Sequence, residues 1–258
     1  MTVAYFATCL ADQFFAEAAA DGVRLLRSLD VEVFFPPGQT CCGQPAWNAG
    51  YRSEAERMAR HTLEVFAGAE HVVLPSGSCA AMMRNHSAEV LGEDPASRET
   101  ARELAGKTWE LSQFIVRVLG IESLGPPDAL EGRRIAYHHG CHALRGLDLE
   151  TEPLTLLCSA GAELVDWEAA KECCGFGGLF AVKLPEVSTA MADRKLETLP
   201  GYPHALSPGT RGSGETAPLE LVSADGGCLM HMAGRMEARG ARVPVRHLAS
   251  VLWEARRG

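Results

Sequence analysis

Val33-Phe34-Phe35-Pro36-Pro37-Gly38-Gln39-Thr40-Cys41-Cys42-Gly43 decides how the chain is organised, because its last three residues return as Cys173-Cys174-Gly175. Thirty-one residues separate Cys9 from Cys41, and thirty-one separate Cys141 from Cys173. An offset of 132 carries Cys9, Cys41, Cys42 and Gly43 onto Cys141, Cys173, Cys174 and Gly175 without a gap, and Val3-Ala4-Tyr5 onto Ile135-Ala136-Tyr137. A further cysteine follows in each half, Cys79 in Pro75-Ser76-Gly77-Ser78-Cys79 and Cys228 in Ala224-Asp225-Gly226-Gly227-Cys228, now at an offset of 149. The same offset superimposes Val72-Val73 on Leu221-Val222 and Met83 on Met232. The chain is therefore an internal duplication whose second half has gained seventeen residues between its cysteine pair and its last cysteine.

Working outward, short apolar runs alternate with helical spacing. Residues 2–8, 31–35 and 71–75 read as strands, with helices over 11–29, 51–67 and from about Cys79. A charged helix is expected over 97–106 and an apolar one over 109–119. The second half repeats the order, with strands at 133–137, 162–167, 219–223 and 243–246 and helices at 152–160, 185–199, 228–239 and 247–255. This alternation predicts an α/β fold of two similar lobes, each a small, mainly parallel sheet flanked by helices. The expected lobes are residues 1–120 and 121–258. The extra residues fall in 200–218, a stretch rich in Pro, Gly and Ser that reads as a mobile surface loop.

The chain has 258 residues, 47% of them apolar, and a net charge of -9. That charge argues against a general nucleic-acid or anionic-membrane surface. No basic segment precedes a long apolar run at the start, and no run approaches the roughly 18 apolar residues of a membrane span. A cytoplasmic protein without a transmembrane segment is the expectation. Nine cysteines in such a compartment point to metal binding or redox chemistry rather than structural disulfides. Cys158, outside the repeat in an apolar helical run, reads as a buried core thiol.

In the predicted fold the first cysteine of each half follows strand one, the pair follows strand two and the last follows strand three. All then lie at the carboxyl ends of parallel strands, where open α/β sheets place ligands. Four thiolates around one point carry about four negative charges, a conflict that an iron–sulfur cluster or zinc removes. Gly43 and Gly175 let backbone N–H groups approach the sulfurs. Neighbouring side chains point apart, so an adjacent cysteine pair reaches two iron atoms of one cluster more readily than it clasps one ion. This favours iron–sulfur, while the spacing accommodates zinc. His138, His139 and His142 surround Cys141 and could hydrogen-bond sulfur, supply a ligand or move a proton; the first of these roles is favoured. Met230, Met232 and Met236 read as core-facing. Gly175-Phe176-Gly177-Gly178 lacks the spacing of a dinucleotide-binding loop, so no nicotinamide or flavin site is expected.

The duplicated pattern resembles the cysteine-rich (CCG) domain family, whose members include the cysteine-rich subunit of heterodisulfide reductase, the iron–sulfur subunit of glycolate oxidase and the A proteins of lactate-utilisation systems. The last are nearest, through residues 33–51, 75–79, 173–178 and 227–235. The resemblance runs end to end apart from 200–218. It implies a cytosolic iron–sulfur electron carrier, not catalytic alone, that works with other iron–sulfur and electron-accepting subunits to oxidise L-lactate to pyruvate. Carried over by position, Cys9, Cys41, Cys42 and Cys79 hold one site, and Cys141, Cys173, Cys174 and Cys228 the other. One or two 4Fe-4S clusters are implied, with zinc an alternative at one site. The reductase relatives end each motif in Cys-x-x-Cys, whereas this chain has Ser76-Gly77-Ser78-Cys79 and Asp225-Gly226-Gly227-Cys228. Each site thus lacks a fifth thiolate, which leaves room for a four-cysteine cubane or for an oxygen ligand such as Asp225. A zinc-holding scaffold subunit and a heterodisulfide-reductase-like thiol oxidoreductase are the alternatives, the second disfavoured because a disulfide between adjacent cysteines closes a strained ring.

Overall fold

In the computed structural model, which describes residues 1–92, 94–202 and 219–258, each half of the chain builds one four-stranded parallel sheet. The first contains β1 (Thr2–Tyr5), β2 (Glu32–Phe34), β3 (His71–Leu74) and β4 (Thr108–Glu110), in the order β2-β1-β3-β4. The second contains β5 (Arg134–Tyr137), β6 (Glu163–Leu164), β7 (Leu219–Ser223) and β8 (Val245–His247), in the order β6-β5-β7-β8. The protein is α/β with two similar lobes, each sheet flanked by helices. Register follows the duplication: Tyr5 pairs with Val73 and Tyr137 with Val222, which reproduces the offsets of 132 and 149. Val3, Ala4 and Tyr5, like Ile135 and Ala136, are buried, as strands covered on both faces require. The expected loop at 200–218 falls almost wholly on residues 203–218, outside the described residues.

The two sheets share one core. Val3, Tyr5 and Leu26 of the first half pack in one cluster with Ile135, Leu156 and Leu252 of the second. The helix Ala16–Ser28 lies against the last helix, Leu248–Arg257, and polar contacts pin the pair. Ser250 Oγ donates to Asp21 Oδ2 at 2.7 Å, and Arg256 reaches the carbonyl oxygen of Ser28 at 2.8 Å. Two outer cores complete the packing, one around Phe6, Phe66 and Met82 that also takes in Ala143, Leu147 and Leu149 of the second half, the other around Trp167, Leu196 and Met232. Among the described residues no helix is long and apolar enough to cross a membrane.

Several local readings change. The apolar run after Lys107 begins as β4, not as a helix; the helical turns start only at Leu111. Glu110 makes the break by capping that helix, its carboxylate accepting from Ser112 N at 2.7 Å and Gln113 N at 3.1 Å. His247 does the same for the second lobe, accepting from Ala249 N at 3.2 Å. Helix 11–29 is two helices, Cys9–Phe14 and Ala16–Ser28, broken at Phe15. Short helices that the sequence reading does not include, Gln44–Asn48 and Leu179–Lys183, follow the cysteine pairs. Cys158 is exposed rather than buried, because the helix Glu152–Ser159 turns Pro153, Leu156 and Leu157 inward and the next residue falls on the outer side. Met232 and Met236 are buried as read, while Met230 is half-buried.

Burial raises the Glu110 carboxyl from 4.5 to about 7, against the hydrogen bonds from Ser112 and Gln113. A group whose folded pKa is raised stabilises the fold below its unfolded value and loses that contribution as pH rises through the folded one. Glu110→Gln keeps the accepting oxygen and removes the charge. Its stability relative to the parent, measured by urea unfolding, is expected to rise between pH 4.5 and about 7, reaching about 3 kcal/mol. Buried His138 and His247 titrate with the opposite slope, and the difference between the two proteins cancels them. A difference that stays flat across this window would show that Glu110 is ionised at little cost.

Candidate metal centre

Strand ends place the sulfurs. Cys9 and Cys141 open the helices that follow β1 and β5, the two cysteine pairs lie in the loops after β2 and β6, and Cys79 and Cys228 sit in the first turns of the helices after β3 and β7. The sequence predicts one four-cysteine site per lobe. The lobes in fact face each other at these edges, and all eight cysteines line one cavity of about 280 Å³, with Ser76, Ser78, Asp225 and His142.

Within that cavity each half keeps its own chain of contacts. Cys9 lies beside Cys41 and Cys41 beside Cys42, and Cys42 hydrogen-bonds to Cys79 with the sulfurs 3.3 Å apart. Cys141, Cys173, Cys174 and Cys228 repeat the sequence. The 3.3 Å separation exceeds the roughly 2.05 Å of a disulfide, and all these thiols are free. Hydrogen bonds from Cys42 and Cys9, with help from Gly43 N–H, bring the Cys41 thiol down to about 3. Those from Cys141 and Cys174, with Gly175 N–H, bring Cys173 down to about 2. Their donors are pushed the other way: Cys9, Cys42, Cys141 and Cys174 rise through bonding to that neighbour and through burial. One anion per half is thus stabilised by thiols that keep their protons. A metal or cluster would replace those protons, and the donor set fits such a group.

The two glycines are required by shape. Gly43 and Gly175 have φ of +86° and +88°, and their amides point at Cys41 Sγ and Cys173 Sγ at 3.4 Å each. A Cβ on Gly175 would stand 2.5 Å from the carbonyl oxygen of Ser188. Phe176 N adds a contact to Cys174 Sγ at 3.5 Å.

Asp225 sits at the seam between the lobes. Its Oδ1 accepts from Ser78 N at 2.8 Å and Ser76 Oγ at 3.2 Å, both from the other lobe, and Oδ2 packs where Gly140 has no Cβ. His142 also bridges the lobes, its Nδ1 accepting from Gln44 Nε2 at 2.9 Å. His139 points away from the cavity, its ring edge-on to Tyr137 at 4.9 Å. His138 is fully buried, and one of its ring nitrogens lies within 4.8 Å of the sulfurs of Cys174 and Cys228.

Lys195 was missed. Fully buried, its ammonium donates to the carbonyls of Ala169, Ala170 and Glu172 just before the second cysteine pair, and lies 4.3 Å from the centroid of the Trp167 ring. Burial lowers it to about 8, opposed by the neighbouring Cys174 and Cys228. The signal was a lysine on the same face of the helix Pro185–Glu197 as Ser188, Ala192 and Leu196.

Sheets joined at a rim of eight thiols define a class. The family model of the cysteine-rich CCG domain matches residues 3–84 and again 135–233, and the chain belongs to this family. Among its relatives, lactate utilization protein A of Shouchella clausii is 42% identical over 253 residues, covering 98% of both chains. Lactate utilization protein A 1 of Bacillus mycoides is 40% identical over 258 residues, 100% of this chain and 98% of its own. Lactate utilization protein A of Bacillus subtilis is 39% identical over 253 residues, 98% of this chain and 99% of its own.

Gly175→Ala forces a side chain into the left-handed region and against Ser188. We expect a loss of about 1–3 kcal/mol in chemical denaturation, and reduced metal retention after dialysis against a chelator. Unchanged stability and retention would mean the loop re-forms without the amide contact.

Proposed function

We propose that the chain is an iron–sulfur electron-transfer subunit of a cytoplasmic complex that oxidises L-lactate to pyruvate. The observation that carries the reading is the meeting of all eight repeat cysteines at one cavity, in two contact chains that each hold one acidic thiol. The relatives' names supply the substrate, and their coverage of the whole chain supports carrying it over. The functional units we assign are 1–120 and 121–258, one CCG repeat each. Cys9, Cys41, Cys42 and Cys79 hold one group, and Cys141, Cys173, Cys174 and Cys228 the other.

Clusters at these positions would accept and release single electrons. The chain's own residues set the conditions: amides of Gly43, Gly175 and Phe176 stabilise sulfur charge, and Lys195 adds a buried cation beside the second group. Ser76, Ser78 and Asp225 lock the lobes together so that the two sulfur sets keep a fixed separation. Removal of a hydride or two electrons from the hydroxy acid carbon needs a cofactor of another kind, and we assign that step to a partner subunit. A second reading places zinc at the second site. Its support is the mixed nitrogen and sulfur set of His138, Cys174 and Cys228, a combination that zinc accepts.

Cys42→Ala and Cys174→Ala test the assignment. In protein prepared without oxygen, each variant is expected to lose the metal of its own half and keep the other, and the double variant to lose both. Full iron and sulfide content in both single variants would sink the ligand assignment.

A further inference from the structure

The duplication makes His138 conspicuous by its counterpart. An offset of 132 sets it opposite Phe6, and the backbones agree: Phe6 N donates to Val73 O at 2.9 Å and His138 N to Val222 O at 2.8 Å. Phe6 is an ordinary core residue whose ring packs on Phe66 at 5.0 Å. His138 occupies the same place with a polar ring and no exposure to solvent.

Its two nitrogens have different surroundings. Nδ1 lies 3.3 Å from the carbonyl oxygen of Ala170. A carbonyl only accepts, so Nδ1 carries the proton and Nε2 keeps a lone pair. Nε2 is buried and has no hydrogen-bond partner, a costly condition for a polar atom. The histidine comes within 4.8 Å of Cys174 Sγ and Cys228 Sγ. Metal-bound histidines characteristically anchor the distal N–H on a carbonyl in this way. The Ala170 carbonyl is itself fixed, since it also accepts from His139 N at 3.1 Å and Lys195 Nζ at 3.3 Å.

Lys195 shows the same asymmetry. Met58 faces Gly43 and Met191 faces Gly175, which aligns the two helices and sets Thr62 opposite Lys195. Thr62 turns its hydroxyl back to Met58 O at 2.9 Å. A cation and an imidazole on one side thus stand where the other side has a threonine and a phenyl ring.

We infer that His138 is a direct ligand at the second site, its Nε2 adding a nitrogen donor to Cys141, Cys173, Cys174 and Cys228 at a position that Phe6 fills with carbon in the first. The inference rests on the proposed binding of a cluster or metal by these cysteines. The two sites then differ in kind: all-sulfur in the first half, sulfur with one imidazole in the second. The imidazole adds no charge to the four thiolates that both sites share, whereas Lys195 brings a buried cation beside the second alone. The second site is therefore the easier of the two to reduce.

The test uses the full chain loaded without oxygen, as wild type, His138→Phe and His138→Cys. X-ray absorption at the iron and zinc edges counts nitrogen and sulfur neighbours. Pulsed electron paramagnetic resonance on protein carrying 14N- or 15N-histidine identifies a coordinated imidazole of a paramagnetic cluster. Expected are a metal-bound nitrogen in the wild type, its loss in His138→Phe, and its replacement by sulfur in His138→Cys. The isotope comparison needs only the wild type, so a variant that fails to fold leaves the proposal open to refutation. A metal-loaded wild type with a sulfur-only shell, or a nitrogen signal that survives in His138→Phe, overturns the ligand assignment and leaves the electron-carrier reading standing. A wild type that takes up neither iron nor zinc overturns both.

Discussion

Sulfurs in contact cannot all lose their protons, and eight of them meet at the seam between the two sheets. Much of the architecture answers that constraint. Parallel strands deliver cysteines distant in sequence to one edge, and the glycine after each pair takes a left-handed turn that aims an amide at sulfur. Within each half one thiol is driven acidic by two neighbours, Cys9 and Cys42 in the first and Cys141 and Cys174 in the second, which retain their protons. Such a set is poised to exchange protons for a metal group, and it is built twice.

The rigidity of the seam follows from the shared core. Because Val3, Leu26, Ile135 and Leu252 belong to one apolar cluster, the lobes are not free to slide apart. Nearer the sulfurs, polar ties take over: Asp225 holds the opposing Ser76–Ser78 turn, and Gln44 links His142 to Ser78. Fixed spacing suits electron transfer, in which little atomic motion is wanted. The duplication is nevertheless broken where charge matters, with Lys195 and His138 both placed beside the second set.

The sequence made the duplication, the parallel strands and the α/β class legible, because the cysteine spacing and the apolar runs repeat together. Other features were hidden. β4 is three residues long and merges with the apolar helix behind it, so only Glu110 capping Leu111–Gln113 separates them. The convergence of both halves on one cavity depends on how the lobes dock, through residues such as Asp225 and Asp21 whose partners lie more than a hundred positions away. Lys195 looks like a surface lysine until its helix face is known, and Cys158 looks like a core thiol for the same reason. His138 drew notice only as a neighbour of Cys141; its unpartnered nitrogen is a property of the packed structure.

The most direct test of the central claim is the content of iron, acid-labile sulfide and zinc in protein purified without oxygen, with an electron paramagnetic resonance spectrum recorded before and after reduction. The account predicts iron and sulfide in similar amounts and a signal that changes with redox state. Zinc without sulfide, and no redox-dependent signal, would contradict it and make the chain a structural scaffold.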